Sequence, residues 1–127
     1  MFSHVTVGSN DLPKAKAFYD SLLMPLGVLR RADHPDAAGY GKQGHRPQLW
    51  IVRPLDRKPA SAGNGITVGL EASDRASVDA AYKAAIAAGG RDEGPPGLRT
   101  HYHPNYYGAY LRDPDGNKIC VVCHKAP

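Results

Sequence analysis

Apolar and polar positions along the chain follow two periods, and the order of those periods repeats. Between Met1 and Gly8, Val5 and Val7 face one way and Phe2, His4 and Thr6 the other, which is the period of a short strand. Ser9-Asn10-Asp11 then offers a helix N-cap, with Pro13 in the first turn. Leu12, Ala15, Tyr19, Leu22, Leu23 and Leu26 recur at helical spacing, and Pro25 and Gly27 end the helix. Strands are predicted over Val28–Arg31, Ala37–Lys42 and Gln48–Val52. The polar, proline-containing stretch Pro54–Asn64 reads as a joint. Beyond it the pattern starts again. A strand over Ile66–Glu71 sets Ile66, Val68 and Leu70 against Thr67, Gly69 and Glu71. Ser73 and Asp74 supply a second N-cap, Val78, Ala81, Tyr82, Ala85 and Ala88 a second helical stripe, and Gly89-Gly90 its stop. Arg91–Arg99 reads as an irregular strand or a loop, and Tyr106–Arg112 with Lys118–His124 as a hairpin around Asp113-Pro114-Asp115-Gly116.

The order strand, helix, three strands thus occurs twice, with no residue-level identity between the halves. It predicts an α+β fold of two modules, about 1–55 and about 64–127, within a single domain spanning 1–127. Each module's helix covers one face of its strands. The opposite faces are expected to line a shared cleft, a place for a small ligand.

Composition narrows the function. The 127 residues suit one domain, and 42% hydrophobic with 22% charged residues is ordinary for a globular protein. The formal charge of +4 is scattered, with no run of Lys or Arg longer than two, which argues against a nucleic-acid partner. No apolar run approaches the roughly 20 residues of a membrane helix. The N-terminal MFSHVTVGSN lacks the basic and apolar regions of a signal peptide, so a cytoplasmic protein with reduced thiols is expected.

Chemistry-bearing residues concentrate in His101–His124. This stretch holds three of the six histidines, four of the seven tyrosines and both cysteines. On a strand, His101 and His103 would share a face, a spacing suited to metal ligation or acid/base work; Pro104-Asn105 makes a surface loop the alternative. A turn at Asp113–Gly116 would pair Arg112 with Asn117, Ala109 with Cys120 and Tyr107 with Val122, putting Tyr107 and Cys120 on the cleft face and Cys123 in the core. Cys120-x-x-Cys123-His124 matches a haem-attachment pattern, but strand parity puts the two sulfurs on opposite faces and no export signal is present. Asp113-x-Asp115-x-Asn117 opens like a calcium loop and fails, because Lys118 stands where a glycine is required and His124 where a closing glutamate is required.

Three motifs carry a family resemblance: Ser9-Asn10-Asp11-Leu12-x-Lys14-Ala15-x-x-Phe18-Tyr19, the helix from Asp74 to Gly90, and Gly108-Ala-Tyr-Leu-Arg-Asp-Pro-Asp-Gly-Asn-Lys-Ile119. In this order they resemble the vicinal oxygen chelate superfamily, which includes glyoxalase I, bleomycin and fosfomycin resistance proteins and extradiol dioxygenases. The resemblance implies paired βαβββ modules in a half-open mixed sheet around a cavity, and a homodimer. It also implies a divalent metal (Fe, Mn, Ni or Zn) held from three strand positions, which match His4, Thr67 and Cys120. His4 keeps a usual ligand type; Thr67 does not, and Cys120 stands where the family often has Glu. Two functions follow as expectations: metal-dependent lyase, isomerase or dioxygenase chemistry with His4 as a ligand, or metal-free sequestration of a small molecule. The expected pocket residues are His4, Thr67, His101, His103, Tyr107 and Cys120.

Overall fold

Asp11 and Asp74 start the two helices in the same way. The Asp11 carboxylate accepts from the Lys14 amide at 3.2 Å and the Asp74 carboxylate from the Ser77 amide at 2.7 Å, each satisfying a backbone donor that the first helical turn leaves free. In the computed structural model, which describes residues 1–127, these caps sit at equivalent places in two modules. The first runs β1 (Val5–Gly8), α1 (Leu12–Leu23), a 3-10 turn (Met24–Leu26), β2 (Leu29–Asp33), β3 (Ala37–Gly41) and β4 (Leu49–Val52). The second runs β5 (Val68–Glu71), α2 (Arg75–Ala87), β6 (Arg91–Leu98), β7 (Tyr107–Arg112) and β8 (Lys118–Cys123).

Each module folds its strands into a four-stranded mixed sheet, ordered β1-β4-β3-β2 and β5-β8-β7-β6. The first strand pairs parallel with the last, and the other neighbours are antiparallel. The arrangement is α+β, as the repeat of elements predicts, and neither sheet closes on itself, the half-open form that the resemblance implies. Of the irregular strand or loop predicted over Arg91–Arg99, Arg91–Leu98 is a strand with two register shifts, one on each side of Gly94.

One core serves both modules. α1 contributes Ala15, Phe18, Tyr19, Leu22 and Leu23, α2 contributes Val78, Ala81 and Ala85, and the sheets add Tyr40, Ile51, Leu111, Ile119 and Val121. Phe18 is fully buried yet was absent from the helical stripe read from the sequence. The two helices pack on each other and cover one face of each sheet. The opposite faces are left open. Thr6, Thr67, Gly69 and Glu71 are exposed there, whereas Cys120 and Val122, on the same face and outside the core cluster, are buried.

A buried polar network joins the modules. The Tyr19 hydroxyl donates to Asp113 Oδ2 at 2.5 Å, and the Asn117 amide donates to Asp113 Oδ2 at 2.9 Å and to the Gly8 carbonyl at 3.0 Å. The joint is pinned nearby: Asn10 exchanges two hydrogen bonds with the Ala60 backbone, at 3.1 and 2.6 Å, and its own amide donates to Asp115. No helix is long and apolar enough to cross a membrane.

Candidate functional site

The register of the β7–β8 hairpin decides which side chains reach the open face. The Asp113 amide donates to the Asn117 carbonyl, and the Gly116 amide to the Asp113 carbonyl. Asp113 Oδ1 accepts from the Asp115 and Asn117 amides, both at 2.9 Å. Asp113 and Asn117 therefore close the turn, and Arg112 pairs with Lys118, Tyr110 with Cys120 and Tyr107 with Cys123. The expected pairs, Arg112–Asn117, Ala109–Cys120 and Tyr107–Val122, are off by one residue. In a strand that slip exchanges faces.

The correction moves two tyrosines. Tyr107 stands on the helix side, where its hydroxyl donates to Asp79 of α2 at 2.6 Å and the Arg75 guanidinium lies 5.3 Å from its ring centre. It does not share a face with Cys120. Tyr110 takes that place, because the turn closes at Asn117, one residue beyond the Asp113–Gly116 turn that the sequence predicts.

On the open face, Tyr106, Tyr110 and Cys120 form one cluster. The Tyr106 and Tyr110 hydroxyls are hydrogen-bonded at 2.7 Å, and the Tyr106 hydroxyl contacts Cys120 Sγ at 3.4 Å. Burial, then the hydrogen bond to Cys120, raises the Tyr106 phenol above its ordinary value. Burial, then the hydrogen bonds to Tyr106 and Cys120, raises Tyr110 far above it. Both phenols are therefore neutral hydrogen-bonding groups at physiological pH. Two cations flank the Tyr110 ring, Lys118 Nζ at 5.5 Å and the Arg99 guanidinium at 5.8 Å from its centre. Across the parallel β5–β8 pair, Gly69 stands opposite Cys120. A Cβ at Gly69 would have no neighbour within 4 Å, so the space over Gly69 is open, while Cys120 itself is covered, 3% exposed.

The histidines lie at one edge of this cluster. His101 and His103 sit in a turn between β6 and β7, held by the Tyr102 amide on the Arg99 carbonyl and the Tyr106 amide on the His103 carbonyl, so of the two alternatives the loop is formed and the shared strand face is not. The partner of His103 is His124, a residue outside the expected set: His103 Nε2 and His124 Nδ1 are 2.8 Å apart and the rings stack. The Asn105 amide donates to His103 Nδ1 at 3.1 Å. That fixes the tautomers: Nε2–H of His103 donates, and His124 Nδ1 accepts. Tyr102 packs at 4.8 Å from Tyr106 and His101 at 4.3 Å from Tyr102, measured between ring centres.

Neither His4 nor Thr67 is hydrogen-bonded to this cluster. His4 precedes β1, is exposed, and has its Nδ1 2.9 Å from the neighbouring Ser3 hydroxyl. Thr67 precedes β5 and is exposed on the Gly69 side. Nowhere do three His, Cys, Asp or Glu side chains converge as a metal would require. Of the three positions matched to metal ligands, Thr67 offers a neutral hydroxyl and Cys120 a thiol already engaged by Tyr106. The side chains at these positions do not fit a divalent ion. Both cysteines are free thiols, and Cys123 is in the core as its parity predicts.

Two of the cavities in the surface lie beside the joint and the seam of the modules. One of about 540 Å³ lies between the start of α1 and the joint and is polar, with Arg53, Arg57 and Lys58 against Asp11 and Asp36. Arg57 there has a left-handed backbone, φ 63°, and its guanidinium pairs with Asp36 at 2.9 Å. The other, of about 330 Å³, is mostly apolar and lies at the seam between β1 and β5.

Comparison with known proteins agrees with this architecture. Residues 1–121 match the Glyoxalase/Bleomycin resistance protein/Dioxygenase superfamily. A glyoxalase/bleomycin resistance protein from Albidiferax ferrireducens T118 is 43% identical; the match covers 98% of this chain and 99% of that one, with a TM-score of 0.88. A glyoxalase/bleomycin resistance protein/dioxygenase family enzyme from Burkholderia phytofirmans PsJN shares the fold at 21% identity, 97% and 98% coverage and a TM-score of 0.73. A glyoxalase-related enzyme from Fulvimarina pelagi does so at 20% identity, 97% and 87% coverage and a TM-score of 0.72. No curated protein sequence matches the chain.

Proposed function

Since the chain belongs to the Glyoxalase/Bleomycin resistance protein/Dioxygenase superfamily, we propose that it binds a small organic molecule on the open face of the second sheet, without a resident metal. The observation that carries this reading is the Tyr106–Tyr110–Cys120 cluster beside the open space at Gly69. Aromatic walls suit a planar or apolar body, and neutral phenols hydrogen-bond its polar end. Lys118 and Arg99, set over the Tyr110 ring, favour an acidic polar end.

Metal-dependent lyase, isomerase or dioxygenase chemistry is the rival within the family. It needs a donor set that His4, Thr67 and Cys120 do not supply. The open faces expose Thr6, Thr67, Gly69 and Glu71. A homodimer in which a second copy covers the face would exclude water from the ligand, and the free thiols suit a reducing cytoplasm.

The test is titration of the purified protein with a panel of aromatic carboxylic acids and phenols, before and after treatment with a chelator and after loading with Fe, Mn, Ni or Zn. Saturable binding of the same affinity in every state is expected, with loss on Cys120→Ala or Tyr106→Phe. Binding or turnover that appears only with metal would overturn the proposal.

A further inference from the structure

The seam between the modules is sealed at one end and open at the other, and the difference can be read residue by residue. Asp113 follows β7 and Asn117 precedes β8; the corresponding places in the first module, after β3 and before β4, hold Lys42 and Gln48. At the sealed end, Tyr19, Asp113 and Asn117 are buried, and their hydrogen bonds reach across to Gly8. Tyr82 occupies the same place along α2 that Tyr19 occupies along α1, but its hydroxyl donates to Asp92 at 2.8 Å instead of to a turn at the seam. The turn from Lys42 to Gln48 is longer and folds on itself, the His45 amide donating to the Lys42 carbonyl. No carboxylate fills the open end, and the cavity of about 330 Å³ is what remains.

Its walls are Val5, Leu23, Leu26, Leu49, Val68 and Leu70, all apolar. Its rim carries Lys42, Gln48 and Glu71, which are exposed. Neither Lys42 nor Glu71 has an ion-pair partner within the chain. An apolar chamber with one free cation and one free anion at its mouth complements a small molecule with an apolar body and both charges on its head. The volume lies at the lower end of the roughly 300–1,000 Å³ of small-molecule sites.

We propose that this seam cavity binds a zwitterion with an apolar side chain, the chemical class of the apolar α-amino acids. The side chain enters among the valines and leucines, the carboxylate faces Lys42 and Gln48, and the ammonium faces Glu71. This site borders the phenol–thiol cluster at Gly69 but is lined by none of Tyr106, Tyr110 and Cys120, and it stands whether or not that cluster binds a ligand.

The full-length, isotope-labelled protein would be titrated with leucine and phenylalanine, following amide resonances together with calorimetry. Saturable shifts at Leu23, Leu26, Gln48 and Leu70 are expected. The analogues lacking either charge, 3-phenylpropionate and phenethylamine, should bind about fivefold more weakly than phenylalanine, the scale of one partly exposed ion pair. Lys42→Gln should weaken phenylalanine and 3-phenylpropionate but not phenethylamine; Glu71→Gln should weaken phenylalanine and phenethylamine but not 3-phenylpropionate. Both residues are exposed, so the variants keep the fold. Absence of saturable shifts at those residues, or equal affinity for all three probes, would overturn the proposal.

Discussion

The Tyr19 hydroxyl and the Asp113 carboxylate, 94 residues apart in the chain, meet in a buried hydrogen bond of 2.5 Å. One belongs to the first helix and the other to the last hairpin turn, so the bond ties module to module. Asp113 also accepts from the Asp115 and Asn117 amides and from the Asn117 side chain. Asp113→Ala removes the acceptor of four hydrogen bonds, of whose donors only the Asn117 side chain keeps another partner, and should cost about 3–5 kcal/mol. Tyr19→Phe leaves the carboxylate its other three donors and should cost about 1–2 kcal/mol. Chemical denaturation of both variants checks the order; a Tyr19→Phe protein less stable than Asp113→Ala would contradict the network.

The same bond sets a response to alkali. Burial first, then the charge of Asp113 and the hydrogen bond to it, holds the Tyr19 phenol well above its ordinary value. Burial raises Tyr40 as well, helped by Asp20. A phenol whose folded value is raised stabilises the native state fully below its unfolded value, about 10, and that contribution disappears as pH climbs towards the folded value. Unfolding free energy should therefore be level between about pH 7 and 9 and fall above about pH 10. Tyr19→Phe should show a shallower fall. Denaturation midpoints at pH 8 and pH 10.5 give the comparison.

Periodicity made the two-module architecture legible, because each helix has a cap and a stripe and the opening strand of each module a clear alternation; the Gly/Pro-rich Arg91–Arg99 carries no such pattern. Asp11 and Asp74 act as the predicted caps. The hairpin register was not legible, because Asp-Pro-Asp-Gly fixes a turn without fixing its length. Side-chain acceptance by Asp113 extends the closed loop to Asn117, and that one residue exchanged Tyr107 for Tyr110. The seam cavity was also hidden. It is lined from α1, β1, β3, β4 and β5, and its apolar walls carry the ordinary signature of core residues. His124 was invisible as a partner of His103 because their contact depends on how a non-strand turn folds back on the end of β8.

The corrected register separates the tyrosines by function. Tyr106→Phe removes the hydroxyl that touches both Tyr110 and Cys120 and should lower affinity for an aromatic acid about tenfold, near 1.4 kcal/mol. Tyr107→Phe removes only an exposed hydrogen bond to Asp79 and should leave affinity unchanged, at a stability cost of about 0.5–1 kcal/mol. Parallel ligand titrations decide the matter. A larger affinity loss in Tyr107→Phe would restore the register that the structure replaces.

Gly69→Val offers the sharpest separation of folding from binding. Gly69 is exposed in β5, its φ is not in the left-handed region, and an added Cβ would meet nothing within 4 Å. A β-branched side chain suits a strand, and a mid-strand glycine is conformationally costly, so the substitution should raise stability by about 0.5–1 kcal/mol. The isopropyl group would project into the space opposite Cys120, where the proposed ligand of the phenol–thiol cluster lies. Affinity read at the Tyr106 and Tyr110 resonances should fall at least about tenfold while the denaturation midpoint rises. If both quantities stay at wild-type values, the ligand does not occupy the face beside Cys120. A fall in both would mean that β5 has less room than its backbone indicates.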